Sequence, residues 1–151
     1  MDSKQLTNVV YGGYWKYIIS NVGLDKFDEG LTTTVNLFVK SGKKVTLLLD
    51  TPNFSFLPEF CVYENLVSFS ICDLSYQEHV SERGQYLHVF EKFAKHEMVE
   101  IVDVSDQLCD EAKCSMVRGA TVLYRDKNHL NIPASKMLGE QVFLRSAFLD
   151  F

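Results

Sequence analysis

A continuous apolar run in the first third of the chain predicts a strand inside a sheet. After Gly42 the chain reads Lys-Lys-Val-Thr-Leu-Leu-Leu over residues 43–49, and Asp50-Thr51-Pro52-Asn53 follows. Strands buried on both faces of a parallel sheet are continuously apolar, whereas half-exposed strands alternate apolar and polar residues. We therefore predict that Lys44–Leu49 is an inner strand of a parallel sheet.

The segments around this run alternate between strand and helix patterns. Short apolar runs predict further strands at Asn8–Tyr11, Val99–Val104 and Ala120–Tyr124. Helices or turns are predicted at Tyr14–Ser20, Asp28–Ser41, Tyr76–His96 and after Asn131, which can cap a helix with Pro133 in its first turn. This order predicts an α/β sheet with helices on both faces. Functional residues of such sheets lie at the carboxyl ends of strands, here Gly12–Trp15, Asp50–Asn53, Asp103–Asp106 and Tyr124–His129.

Length and composition narrow the class of protein. The 151 residues, 46% hydrophobic and 23% charged, predict one globular domain over residues 1–151. The formal net charge of -5 argues against a nucleic-acid partner, which would require a basic face. No apolar stretch reaches the about 20 residues of a membrane helix. The first residues also lack the apolar core of a signal peptide.

The four cysteines leave two interpretations open. Cys61 and Cys72 could pair, as could Cys109 and Cys114, if the compartment is oxidising. Four buried thiols in a reducing compartment fit the spacing equally well. None of the cysteines forms a Cys-x-x-Cys motif, so a zinc site is not indicated.

Asp126 and His129 are the candidate catalytic residues. An Asp three residues before a His on a turn can accept the imidazole Nδ1–H, which leaves Nε2 to take a proton from a hydroxyl nucleophile. The spacing alone is also typical of an exposed loop with two solvated polar side chains. The segment around the pair reads Leu108-Cys109, then Cys114, then Gly119-Ala120-Thr121-Val122-Leu123-Tyr124-Arg125-Asp126-Lys127-Asn128-His129-Leu130-Asn131.

This carboxy-terminal pattern resembles the end of the SGNH domain fused to acyltransferase-3 membrane proteins, which O-acetylate bacterial surface polysaccharides. Upstream segments are similar in the same order: Val9-Val10-Tyr11-Gly12-Gly13-Tyr14-Trp15, then residues 43–52, then Pro58-Glu59-Phe60-Cys61. The resemblance implies an SGNH-hydrolase-like, flavodoxin-like three-layer sandwich with a mainly parallel sheet, lacking its first strand. It implies that Asp126 orients His129 as the general base of a serine acetyltransferase or esterase.

The resemblance also implies partners and a location. A carbohydrate acceptor, an acetyl donor and a membrane acyltransferase domain are expected, with a periplasmic or extracytoplasmic location and no cofactor or metal. The loss of a first strand would expose an apolar sheet edge, which could pair with a second copy of the chain.

The nucleophile of the family is missing. Its serine lies in a Gly-Asp-Ser block after the first strand, and this sequence has no such block. Asp2-Ser3 follows no strand, so we do not assign Ser3 as the nucleophile. The family's Asn-based oxyanion hole is not supported either, and backbone N–H groups near Gly12 and Gly13 could serve in its place. We expect a partial domain that is inactive alone.

Two other functions remain open. One is a non-catalytic carbohydrate-binding or interaction module on the same scaffold. The other is an unrelated cytoplasmic α/β regulatory domain with reduced cysteines. Further expectations concern single side chains: a core position for Trp15, a loop cap for Asp50 and a solvated position for Arg83. We expect the same solvated positions for the histidines His79, His88 and His96 of the predicted helix.

Overall fold

The continuous apolar run is the middle strand of a parallel sheet. In a computed structural model that describes residues 6–62, 72–119 and 121–149, strand β2 covers Lys44–Leu48. It pairs in parallel with β1, Asn8–Tyr11, on one side and with β4, Val99–Val102, on the other. Val45, Thr46 and Leu47 are almost fully buried in succession, as a strand covered on both faces requires. This confirms the predicted α/β architecture with a parallel sheet.

Five α-helices and further short strands complete the main described elements. The helices are α1 Trp15–Val22, α2 Leu24–Lys40, α3 Glu59–Val62, α4 Tyr76–Glu91 and α5 Ile132–Arg145. The remaining strands are β3 Asp73–Ser75, β5 Lys113–Ser115, β6 Val117–Arg118 and β7 Thr121–Val122. Among the described residues, no helix is long and apolar enough to cross a membrane.

The chain divides into two compact units. The first comprises Met1–Asp50, Arg83–Asp103 and Arg145–Phe151, and the second comprises Thr51–Glu82 and Val104–Leu144, each within its described residues. Helix α4 contributes to both, because the division falls between Glu82 and Arg83. The prediction of a single domain over residues 1–151 stays a prediction.

The core of the first unit lies on one face of the parallel sheet. Side chains alternate across a strand, so Val45, Leu47 and Leu49 point to the same face. They belong to one buried cluster with residues of α1, α2, α4, the segment after α4 and β4: Trp15, Phe27, Leu31, Val35, Tyr86, Val89, Phe90, Phe93 and Val99. Helix α2 stops because Gly42 takes a left-handed φ of 75°, and the Gly42 and Lys43 N–H groups bind the last helical carbonyls.

The opposite face of β2 carries a buried polar contact. The Thr46 hydroxyl donates to Glu100 Oε1 at 2.6 Å, and the two residues are direct partners in the β2–β4 register. The Ser146 hydroxyl also donates to Glu100 Oε1, and the Ala147 N–H donates to Oε2 at 2.8 Å. The Glu100 carboxylate therefore ties the segment after α5 to the sheet.

The second unit is built from short antiparallel pairs and two disulfides. Strand β3 pairs with β5, and β6 pairs with β7. Cys61 is bonded to Cys72 and Cys109 to Cys114, with Cα–Cα distances of 5.5 and 3.8 Å. The two short-range pairs suggested by the spacing are thus disulfides, and the alternative of four reduced thiols is wrong for this structure.

One predicted strand does not join the parallel sheet. Residue Ala120 lies outside the described residues, and of the predicted strand Ala120–Tyr124 only Thr121–Val122 forms a strand, β7, while Tyr124 makes an isolated bridge. Its partner is β6, antiparallel, in the second unit. The error has a physical cause: an apolar run of five residues specifies extended backbone but not which strand will pair with it. The segment Tyr124–His129 is therefore not at the carboxyl end of a parallel strand.

Candidate active site

The segment from Tyr124 to Leu130 is a tight turn. Tyr124 and Leu130 form an isolated antiparallel bridge, and the Arg125 N–H donates to the His129 carbonyl at 2.9 Å. The Asn131 N–H then donates to the Leu123 carbonyl at 2.8 Å. The ends of the turn are thereby closed by main-chain hydrogen bonds, which fixes the backbone from which Asp126 and His129 project.

Within this turn the side chains of Asp126 and His129 are in contact. Asp126 Oδ1 accepts the Asn128 N–H at 3.1 Å and the His129 N–H at 2.8 Å. The His129 Nδ1 lies 2.8 Å from Asp126 Oδ2 and 3.0 Å from Oδ1. An ionised carboxylate only accepts hydrogen bonds, so Nδ1 carries the proton and the neutral imidazole keeps the lone pair on Nε2.

The electrostatics of the turn keep Asp126 ionised. Partial desolvation raises the pKa of this carboxyl, but the N–H groups of Asn128 and His129 and the His129 ring outweigh that effect. The net result is a pKa below the ordinary value. The Asp126 side chain is 36% exposed and the His129 side chain 58% exposed, so the imidazole is accessible from solvent.

Buried aromatic contacts hold the turn in place. Tyr124 is almost fully buried, and its hydroxyl donates to the Pro52 carbonyl at 3.0 Å. Its ring meets the Phe54 ring edge to face at 5.0 Å, and the Phe54 N–H donates to the Lys127 carbonyl at 2.8 Å. Burial raises the pKa of Tyr124, which keeps the hydroxyl a donor. The sequence alone did not reveal these contacts, although Tyr124 belongs to the motif that carries the resemblance.

Helix α5 begins directly after the turn as predicted. Asn131 Oδ1 accepts the Ala134 N–H at 2.9 Å, which is the hydrogen bond of an N-cap. Pro133 stands in the first turn of the helix, where its missing N–H is not needed. The capped helix thus fixes the carboxy-terminal side of the turn.

Asp50 occupies a second site of unusual chemistry, in the first unit. Its Oδ2 accepts the Trp15 N–H at 2.9 Å, the Lys16 N–H at 3.4 Å and the Tyr86 hydroxyl at 3.4 Å. Desolvation by burial raises the pKa of Asp50 to about 6 although all three hydrogen bonds and the Arg83 charge lower it. The expected role of Asp50 was a loop cap, whereas its carboxylate binds the first N–H groups of α1.

Trp15 is a core residue, as expected, and its indole Nε1–H donates to the Leu48 carbonyl at 2.9 Å. Two other expectations are wrong. Arg83 is mostly buried and donates to Asp103 Oδ2 at 2.6 Å, and the His79 side chain is buried on α4. The sequence pattern of α4 did not reveal that these two side chains are buried.

The described residues contain no group of three or more His, Cys, Asp or Glu side chains that could hold a metal ion. All four cysteines of the sequence are in disulfides, so none is a thiol nucleophile. Asp2-Ser3, the one superficial match to the family's serine block, lies outside the described residues. The assignment of Gly12 and Gly13 as oxyanion donors stays a prediction.

Comparison with known proteins agrees with this architecture. The family model for the SGNH domain fused to AT3 domains matches residues 1–143. A solved structure, the periplasmic domain of a lipopolysaccharide acetyltransferase from Salmonella ser. Paratyphi A, is similar with a TM-score of 0.57 and 15% identity. The match covers 89% of this chain and 54% of that one, so the chain spans about half the length of the solved domain. No curated protein matches the chain.

At this level of identity the solved structure shows a shared fold, an SGNH-like α/β fold with a parallel sheet. The family model adds the membership, because it matches nearly the whole chain, including the turn with Asp126 and His129. The chain belongs to the family of SGNH domains that are fused to AT3 domains.

Proposed function

We propose that this chain provides the Asp–His part of a serine-dependent O-acetyltransferase or esterase site that acts on cell-surface carbohydrate. The observation that carries the proposal is the contact between His129 Nδ1 and Asp126 Oδ2 at 2.8 Å. In a triad, this contact orients the imidazole and stabilises the imidazolium that forms when Nε2 takes the nucleophile's proton.

The proposed reaction is an acyl transfer in two steps. His129 Nε2 accepts the proton of a serine hydroxyl as its oxygen attacks the acetyl carbonyl of the donor, and the protonated imidazole then passes the proton to the leaving group. In the second step a sugar hydroxyl loses its proton to Nε2 and attacks the acetyl-serine. The acetyl group ends on the sugar, and the serine regains its proton.

The serine comes from outside the described residues in this proposal. Without it, we expect Asp126 and His129 to give no acetyl-enzyme, which matches the prediction of a partial domain over residues 1–151. The Salmonella protein is described as a lipopolysaccharide acetyltransferase, which supports an acetyl donor and a carbohydrate acceptor here. The family's fusion to AT3 domains supports a membrane acyltransferase domain as the partner that delivers acetyl groups.

An extracytoplasmic location is part of the same proposal. Disulfides persist in oxidising compartments such as the periplasm and are rare in the cytosol. Both cysteine pairs of this chain are bonded. The solved relative is a periplasmic domain by its description. These observations argue against the alternative of a cytoplasmic regulatory domain with reduced cysteines.

A second candidate function is a non-catalytic carbohydrate-binding or interaction module. The observation that favours it is the absence of a Gly-Asp-Ser block from the sequence. Saturable binding of a polysaccharide, without release or transfer of acetate in the presence of the donor system, would support this function over the catalytic one.

The test is the acetate content of surface polysaccharide in cells that carry the native gene. We expect His129→Ala to lower O-acetylation at least about a hundredfold, since general-base catalysis contributes factors of that size. Asp126→Asn should lower it too, because the amide no longer fixes the Nδ1–H form of the ring. Lys127→Ala, which changes an exposed side chain of the same turn, is the matched control. Unchanged acetate content in both the His129 and Asp126 variants would refute the catalytic proposal.

A further inference from the structure

Two tyrosines form an aromatic pair just after β1, in which Tyr14 is half-buried and Tyr17 is exposed. The rings of Tyr14 and Tyr17 lie 5.8 Å apart between centroids with an interplanar angle of 22°, a stacked arrangement. The spacing of three residues places both on the same side of the first turn of α1. Tyr17 is 61% exposed, so a ligand in solvent can reach its side chain.

The backbone under this pair is held rigidly. Trp15 lies between the two tyrosines in the chain and is buried in the core of the first unit. Its backbone N–H binds Asp50 Oδ2 at 2.9 Å and its indole Nε1–H binds the Leu48 carbonyl at 2.9 Å. A rigid aromatic surface loses little conformational entropy when a ligand binds, which favours binding.

The surroundings of the pair are polar. The exposed neighbours of Tyr17 on the helix are Lys16, Ser20 and Asn21, and the Ser20 hydroxyl and Asn21 Nδ2 both donate to the Tyr17 carbonyl, at 2.8 and 2.7 Å. Gly12 and Gly13, which precede the pair in the chain, are also exposed. The core of a protein–protein interface is apolar and depleted in charge, so this setting does not resemble one.

We propose that Tyr14 and Tyr17 form a binding subsite for a hexopyranose ring, which stacks on the exposed side chain of Tyr17. A pyranose has flat patches of C–H groups bordered by hydroxyls, and an aromatic ring with polar neighbours offers the matching pattern of apolar and hydrogen-bonding contacts. The inference deepens the proposed function and rests on it for the role of the sugar as acceptor. The binding itself requires neither His129 nor a serine nucleophile.

The test uses four probes: the methyl hexopyranosides of glucose, galactose, mannose and rhamnose. Saturation-transfer NMR and the ring resonances of the tyrosines would be recorded with the whole chain. A ligand of this size is expected to bind with a dissociation constant on the order of 1–10 mM. At least one glycoside should bind and shift the Tyr14 and Tyr17 ring signals.

Variants separate the subsite from general surface binding. Tyr17→Ala should weaken binding at least about tenfold, whereas Tyr17→Phe retains the ring and should bind within about threefold of the native chain. Phe60→Ala is the matched control, since Phe60 is 59% exposed and belongs to the second unit. Trp15 fluorescence would verify that each variant is folded.

The outcomes are decisive. Failure of all four glycosides to bind, or equal affinity of Tyr17→Ala and the native chain, would overturn the subsite. Retained glycoside binding in His129→Ala is expected. If the polysaccharide assay shows no dependence on His129 while Tyr17→Ala loses glycoside binding, the catalytic proposal fails and the subsite stands.

Discussion

Replacing Asp50 by asparagine should change how the stability of the first unit depends on pH. Burial raises the pKa of this carboxyl from 3.8 to about 6 in the folded protein, against three hydrogen bonds and the Arg83 charge. The folded state therefore holds the Asp50 proton more tightly than the unfolded chain does. The stability contributed by that proton is complete below about pH 4 and is lost as the pH rises through about 6.

The size of the effect follows from the two pKa values. A change from 3.8 to about 6 corresponds to roughly 3 kcal/mol at 1.36 kcal/mol per pH unit. Asp50 is only partly buried, and solvent screening reduces this to about 2 to 3 kcal/mol. The asparagine side chain would not titrate, and its amide oxygen can take the position of the single oxygen, Oδ2, that accepts all three hydrogen bonds.

The assay is urea unfolding from about pH 4 to about pH 7.5, read by fluorescence. Trp15 is the only tryptophan of the sequence and binds Asp50 directly, so its emission reports on this site. The unfolding free energy of Asp50→Asn minus that of the native chain should rise by about 2 to 3 kcal/mol over this range. Glu29→Gln, an exposed change on α2 of the same unit, measures the effect of removing one negative charge. Parallel curves for Asp50→Asn and the native chain would refute the reasoning.

Further predictions concern the disulfides, the Glu100 contact and the sheet edge. Replacing both cysteines of the Cys109–Cys114 disulfide by Ser should lower the unfolding free energy by about 2 kcal/mol, and the same change at Cys61–Cys72 should lower it by about 3 kcal/mol. The second loss is larger because the bonded cysteines are 11 residues apart, compared with 5 in the first disulfide. The opposite ranking in urea unfolding would contradict this. Glu100→Gln should lower the unfolding free energy by about 1 to 3 kcal/mol and speed amide hydrogen exchange in the segment after α5. Exchange in that segment as slow as in the native chain would count against this prediction. The edge strand β1, on which Val10 is 46% exposed, should pair copies of the chain. Sedimentation should then show a dimer that Val10→Lys disrupts; a strict monomer excludes such pairing.

Much of the first unit could be predicted from the sequence. The apolar run at β2 identified a strand buried on both faces, because only such a strand needs no polar side. Gly42 marked the end of α2, since its left-handed backbone suits glycine. In the second unit, Asn131 marked the start of α5 for an equally local reason, a side chain that binds an N–H three residues on.

The candidate pair was predictable for the same physical reason. Asp126 and His129 are three residues apart, so a single turn brings their side chains together without help from distant segments. The resemblance to the SGNH family supplied the predicted catalytic role of that turn, and the family model confirms that the chain belongs to the family. The catalytic role of the pair stays a prediction.

Only the tertiary structure decided which distant groups meet. Sequence spacing did not show that Asp50 would bind the first N–H groups of α1, 35 residues earlier, or that Arg83 would pair with Asp103. It also assigned residues 120–124 to the parallel sheet, where the structure pairs Thr121–Val122 with β6. Contacts within one turn are fixed by backbone geometry, whereas strand partners and buried charges depend on how whole elements pack, which local patterns do not specify.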